Sequence, residues 1–194
     1  MNDLMNDHIV EKRNKKVFNL KAEKLVREAS DTFIYFKDYE LALKQVNAVL
    51  KIEPNHTKAL LLKGDILLCL DKDKKALECY AMAIESDCHC AQAYGSMAGV
   101  LDMMDKPEEA LEYCNKAFEN ATAKDKQLLT SLFDQKLSIL HSLGRYKEAQ
   151  EILQLAINSL PEEDSSYLVS CYQDSIAESQ SHEIAAKMTL QLVY

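Results

Sequence analysis

The chain has no tryptophan, and its 194 residues include only 4 glycines and 3 prolines. So few turn formers leave little room for the tight reversals of a sheet protein, whereas antiparallel helices need only short connections. Long apolar runs are missing too. Stretches such as Ala59 to Leu62 fall far short of the roughly 20 residues that cross a bilayer, so no membrane span is expected. The first 20 residues lack the apolar centre of a signal peptide. They begin with Asp3 and Asp7 and turn basic through Lys12, Arg13, Lys15 and Lys16, which points to a cytoplasmic location. Basic charge is scarce elsewhere: 23 Lys and Arg stand against 31 Asp and Glu, a net charge of −8. Phosphate neutralisation needs a concentrated basic surface, so no nucleic-acid partner is expected.

Signatures of chemistry are absent in the same way. No glycine-rich phosphate loop, nucleophile elbow or paired His and Glu metal motif occurs. His8, His56, His89, His141 and His182 are scattered and read as surface or turn residues. No catalytic residue, no cofactor and no metal is expected, and the chain is read as not an enzyme. Six cysteines follow the spacing of helices and not that of a ligand framework. Cys114 reads as a core residue, and Cys69 and Cys79 as small hydrophobes within amphipathic helices. Cys88, His89 and Cys90 are too close in sequence to converge readily on one ion and lack a neighbouring fourth ligand.

What is present is a repeat. Ala42, Ala76 and Ala110 stand 34 residues apart in matching apolar settings, and Ala149 follows in a fourth copy, five residues later than strict periodicity requires. Each alanine belongs to a second helix, as in Tyr39 to Leu50, Lys75 to Ile84, Glu109 to Phe118 and Glu148 to Ile157. A first helix precedes each, carrying Val26 and Phe33, then Leu60, Gly64 and Leu67, then Tyr94, Ala98 and Leu101, and last Phe133, Leu137 and Leu140. A helix pair of this length cannot bury its apolar face without a neighbour, so the period marks a stacked array. The extra residues of copy four place a longer connection or an extended first helix near Glu119 to Lys126.

These positions resemble the tetratricopeptide repeat family. Its pattern asks for large apolar residues early in helix A, a small residue facing helix B, alanines in helix B and often a closing proline, here Pro54 and Pro161. Ser30 and Leu137 depart from the small residue, and Cys88 and Thr122 from the proline. The resemblance implies an all-α fold, a right-handed α-solenoid of antiparallel helix pairs. It gives four repeats over 23–56, 57–90, 91–124 and 125–161, after an N-terminal segment 1–22 and before a degenerate C-terminal helix pair, 162–194. In that pair Leu168, Cys171, Tyr172 and Ile176 share one helical face, and Ile184, Met188 and Leu192 another. The apolar end Leu190 to Tyr194 is a candidate for self-association.

The resemblance also implies a role: binding a peptide or helical segment of a protein partner in a concave groove lined by helix A. The implied groove residues are Arg27 and Asp31, then Lys58, Leu61, Leu62 and Asp65. Gln92, Gly95, Ser96, Gly99 and Asp102 follow, and Asp134, Gln135, Ser138 and His141 complete the set. Its second step reads as apolar at Leu61 and Leu62. Its third reads as small at Gly95, Ser96 and Gly99, open to the backbone of a ligand. Some family members clamp a C-terminal carboxylate with lysine, arginine and asparagine. Here Asp31, Leu62, Gln92 and Ser96 stand where those residues are expected, so with only Arg27 left that ligand is not expected. The alternatives carried beside the adaptor reading are a small chaperone for secretion substrates and a regulatory or targeting domain of a larger enzyme or complex.

Overall fold

The computed structural model describes residues 20–173, among which all regular structure is helical. Two compact units divide the chain, Met1–His89 and Cys90–Tyr194. In the first, α1 covers 20–31 and opens into a π-helical turn, Thr32–Phe36. It is followed by α2 (Tyr39–Ile52), α3 (Thr57–Cys69) and α4 (Asp73–Ser86). The second contains α5 (Ala91–Met103), α6 (Pro107–Asn120), α7 (Lys126–Ser142) and α8 (Tyr146–Ser159), with a further helix, α9, over 162–173. Each odd-numbered helix from α1 to α7 is the A helix of a pair, and the even-numbered helix after it is its B partner. The fold is thus of the all-α solenoid class, built from antiparallel helix pairs. The apolar C-terminal residues 190–194 and the basic run 12–16 lie outside the described residues, as do Ile176, Ile184, Met188 and Leu192.

Local chemistry sets the helix ends. The Asp38 and Asp125 carboxylates each accept a backbone N–H at 3.0 Å, from Leu41 and Leu128, and so cap α2 and α7. His56 does the same for α3, its Nδ1 accepting from the Ala59 N–H at 3.3 Å; this histidine is a buried cap rather than a surface residue. Pro107 opens α6, with Glu108 and Glu109 in the first turn where the helix dipole favours acids. Every A helix ends on a left-handed residue, in turn Lys37, Asp71, Asp105 and Gly144.

Only the last of these is a glycine, with φ of 67°, and a Cβ added there would meet its nearest neighbour at an easy 3.9 Å. Gly144→Ala therefore isolates the backbone penalty. It is expected to cost about 1 kcal/mol of stability in thermal or urea unfolding, and Lys37→Gly to gain a similar or smaller amount.

The extra residues of copy four are resolved in detail. The connection 121–125 is slightly longer than its counterparts, and α7 has 17 residues where α3 and α5 have 13, one added helical turn. The repeat alanines do what their size permits: Ala42, Ala76 and Ala110 are fully buried, and Ala149 is nearly so. In the first unit Ala22, Val26, Ala29, Val46, Val49 and Ile66 form the core around Ala42, and the Phe33 and Tyr39 rings close it at 5.8 Å. Cys114 is fully buried, its Sγ lies 3.8 Å from the Leu132 carbonyl, and burial pushes its thiol up to about 12. That thiol is a packing element and not a nucleophile. Cys69, by contrast, is exposed and fills no core position.

Candidate functional site

The polar positions of the A helices form a candidate surface in each unit. In the first unit Arg27, Asp31 and Lys58 are exposed. Lys58 is held by Glu23, whose carboxylate sits 3.2 Å from its Nζ and 3.7 Å from His56 Nε2, so this exposed pair ties α3 to α1. Asp65 is half-buried and accepts a 2.7 Å hydrogen bond from the Tyr80 hydroxyl. Tyr80 is fully buried, the largest of the wholly enclosed side chains. It fits because Gly64 lies under its ring: a Cβ on Gly64 would come within 2.6 Å of the ring Cζ.

Leu61 and Leu62 correct the expectation of an apolar groove step. They are only 6% and 7% exposed, and Leu62 belongs to the core with Val46, Val49 and Ile66. The reason is the breadth of the apolar face of α3, which buries Ala59, Leu60, Leu61, Leu62, Gly64, Ile66 and Leu67 and leaves little of its circumference to solvent.

In the second unit the small residues are also put to internal use. Gly95 is buried, and a Cβ there would lie 2.9 Å from Leu132 Cδ2. One on Gly99 would lie 2.8 Å from Gln135 Nε2, the same nitrogen that donates to the Gly95 carbonyl at 3.2 Å. The space above these glycines is therefore filled by α7, where the sequence suggested an opening for a ligand backbone. Gln92 is exposed, and Ser96 and Asp102 are half-buried, with burial raising the Asp102 carboxyl above its ordinary range.

Asp134, Ser138 and His141 follow one another along α7 but share no hydrogen bond. The Tyr172 hydroxyl of α9 donates to Asp134 Oδ1 at 2.9 Å, and burial and that acceptor together raise the phenol well above its usual range. His141 is exposed and meets the Tyr146 ring edge-on at 5.4 Å. Such an arrangement orients a carboxylate for hydrogen bonding, but it lacks the nucleophile-to-base contact of a catalytic group. Tyr80 and Tyr172, whose hydroxyls hold the two aspartates, are positions of the candidate site that sequence reading missed. Of the two, Tyr80 left a signal, since Gly64 stands where the other copies have Ser30, Ala98 and Leu137, and Tyr80 where they have the smaller Val46, Cys114 and Leu153. Among the described residues no three His, Cys, Asp or Glu side chains are grouped to hold a metal ion.

The carboxyl of Asp65 titrates above its ordinary 3.8, with burial raising it and the Tyr80 hydrogen bond opposing. A raised acid favours the fold below its unfolded-state value and loses that contribution as pH rises through the folded one. Asp65→Asn keeps an acceptor for Tyr80 and has nothing to ionise. Its melting temperature is expected to match the wild type at acid pH and to exceed it increasingly as pH rises to neutrality.

Comparison with known proteins bears on the fold and the repeat. The sequence profile described as tetratricopeptide repeat matches residues 131–161. No curated protein matches in sequence. Among solved structures, PilF of Pseudomonas aeruginosa is similar with a TM-score of 0.68 at 15% identity, over 88% of this chain and 77% of that one. MamA from Desulfovibrio magneticus is similar with a TM-score of 0.59 at 22% identity, over 71% of this chain and 74% of that one. SycD, a type III secretion chaperone of Yersinia enterocolitica solved with a peptide of the translocator YopD, has a TM-score of 0.56 at 20% identity, over 62% of this chain and 92% of that one. At such identities these likenesses are likenesses of fold. Among the described residues no helix is long and apolar enough to cross a membrane. The chain thus carries a matched tetratricopeptide repeat over residues 131–161, within an all-α fold of helix pairs in each unit.

Proposed function

We propose that the protein is a non-enzymatic, cytoplasmic adaptor that binds a peptide or helical segment of a partner protein through the polar faces of its A helices. The observation that carries this reading is that their functional groups are oriented by the chain itself: Asp65 by Tyr80, Asp134 by Tyr172 and Gln135 by the Gly95 carbonyl. Side chains fixed before binding lose less entropy on binding, which favours specific hydrogen bonding over loose adhesion. The contact set is accordingly Arg27, Asp31, Lys58 and Asp65 in the first unit. In the second it is Gln92, Ser96, Asp102, Asp134, Gln135, Ser138 and His141. Leu61, Leu62, Gly95 and Gly99 support these residues from within. A net charge of −8 argues against a nucleic-acid partner. The narrower reading, a small chaperone that holds a secretion substrate, takes its support from the fold shared with SycD.

The test is affinity capture from native extract with wild type and with Arg27→Glu combined with Ser138→Arg, two substitutions at exposed positions, with unchanged circular dichroism as the control for folding. A partner retained by wild type and lost by the variant supports the reading. Equal retention by both removes the A helix faces as the binding surface.

A further inference from the structure

The geometry points to a second docking site, on α2 and the turn between α3 and α4, for an acidic segment of a partner protein that carries apolar side chains between its carboxylates. It uses none of the A helix residues above and stands independently of them. A depression of about 850 Å³ opens there. Its floor is apolar, made by Leu43, Leu50 and Leu70, all half-buried against the core of the first unit. Lys44, Lys51 and Lys72 stand in its lining, where Glu40 is the single acid.

Comparison with the equivalent repeats shows that these cations are particular to this place. Helices α2, α4 and α6 are spaced 34 residues apart, so Lys44 corresponds to Glu78 and Glu112, and Lys51 to Glu85 and Glu119. The turn cation recurs as Lys72, Lys106 and Arg145. Lys106 is neutralised by Glu109 at 2.7 Å and Arg145 by Glu148 at 2.6 Å, each three residues on, but three residues after Lys72 stands Lys75. Among the described residues Lys44, Lys51 and Lys72 form no ion pair with the chain's own acids. The fold thus accepts acids at two of these positions and a neutralised cation at the third, and the depression beside α2 reverses the pattern, with Lys44 and Lys51 from the first repeat and Lys72 from the second.

Three uncompensated lysines around an apolar floor complement a segment that offers carboxylates at the rim and an apolar side chain to the cavity. A bilayer surface has nothing to insert into a concave pocket of this kind. A nucleic acid would meet an acidic protein through too short a basic stripe.

The test uses the full chain and a short synthetic helical peptide with glutamates flanking a leucine stripe, followed by fluorescence anisotropy. Wild type is expected to bind it, more weakly as salt rises. Lys44→Glu combined with Lys51→Glu, the residues that α4 and α6 already carry, is expected to lower affinity about tenfold or more while helicity stays unchanged. Unchanged affinity in that variant overturns the proposal. So does equal binding of a peptide with glutamine for glutamate, or binding to phosphatidylserine vesicles when the peptide does not bind.

Discussion

Gly64→Ala is expected to destabilise the protein by about 2 kcal/mol, and Gly64→Val by more, although either substitution removes a glycine from a helix interior. Replacing glycine by alanine in an exposed helix would gain about 1 kcal/mol. Here the new Cβ would sit 2.6 Å from the Tyr80 Cζ, and the ring has nowhere to retreat: it is fully buried, and its hydroxyl is committed to Asp65 at 2.7 Å. Displacing it loses that hydrogen bond and forces repacking between α3 and α4, which outweighs the gain in helix propensity. Urea unfolding followed by circular dichroism measures the loss. Because the cause is one contact, Gly64→Ala combined with Tyr80→Leu should cost less than the sum of the two single changes. Additive costs would show that the pair is not the source.

Leu62→Glu is expected to have the largest effect of all, a loss of about 4 kcal/mol or more together with the helical signal of the first unit. Leu62 is 7% exposed and lies in the core with Val26, Val46 and Ile66, so the change both removes apolar burial and places a carboxylate where none of its charge is solvated. Arg27→Glu, on an exposed position of the neighbouring A helix, should change stability by no more than about 0.5 kcal/mol. The contrast matters for function. A partner lost by the Leu62 variant reports unfolding, whereas a partner lost by an Arg27 variant reports a binding surface.

The helix pairs were legible in the sequence because their signal is redundant. Ala42, Ala76, Ala110 and Ala149 repeat at nearly constant spacing, and each marks the same close approach of helices. Even the irregularity of copy four was readable, and the longer α7 accounts for most of it. The side-chain environments were less legible, for two physical reasons. An A helix packs on more than one neighbour, so its buried arc is wider than the stripe of an ordinary surface helix, and Leu61 and Leu62 fall inside it. A glycine announces a close approach without naming what approaches. At Gly95 and Gly99 the answer is Leu132 and Gln135, residues 37 and 36 positions further along the chain, whose arrival no local pattern encodes. The aspartates were picked out by their place on helix A, but the tyrosines that orient them lie on α4 and α9 and contribute only through the fold.

Site-specific photo-crosslinking tests the central claim most directly. A photoreactive side chain at Ser138, exposed on the A helix α7, is compared with one at Glu151, exposed on the B helix α8, in otherwise unchanged protein within native extract. The account predicts a discrete crosslinked partner from position 138 and none from position 151. Crosslinking from 151 with none from 138 would contradict it and move the function away from the A helix faces.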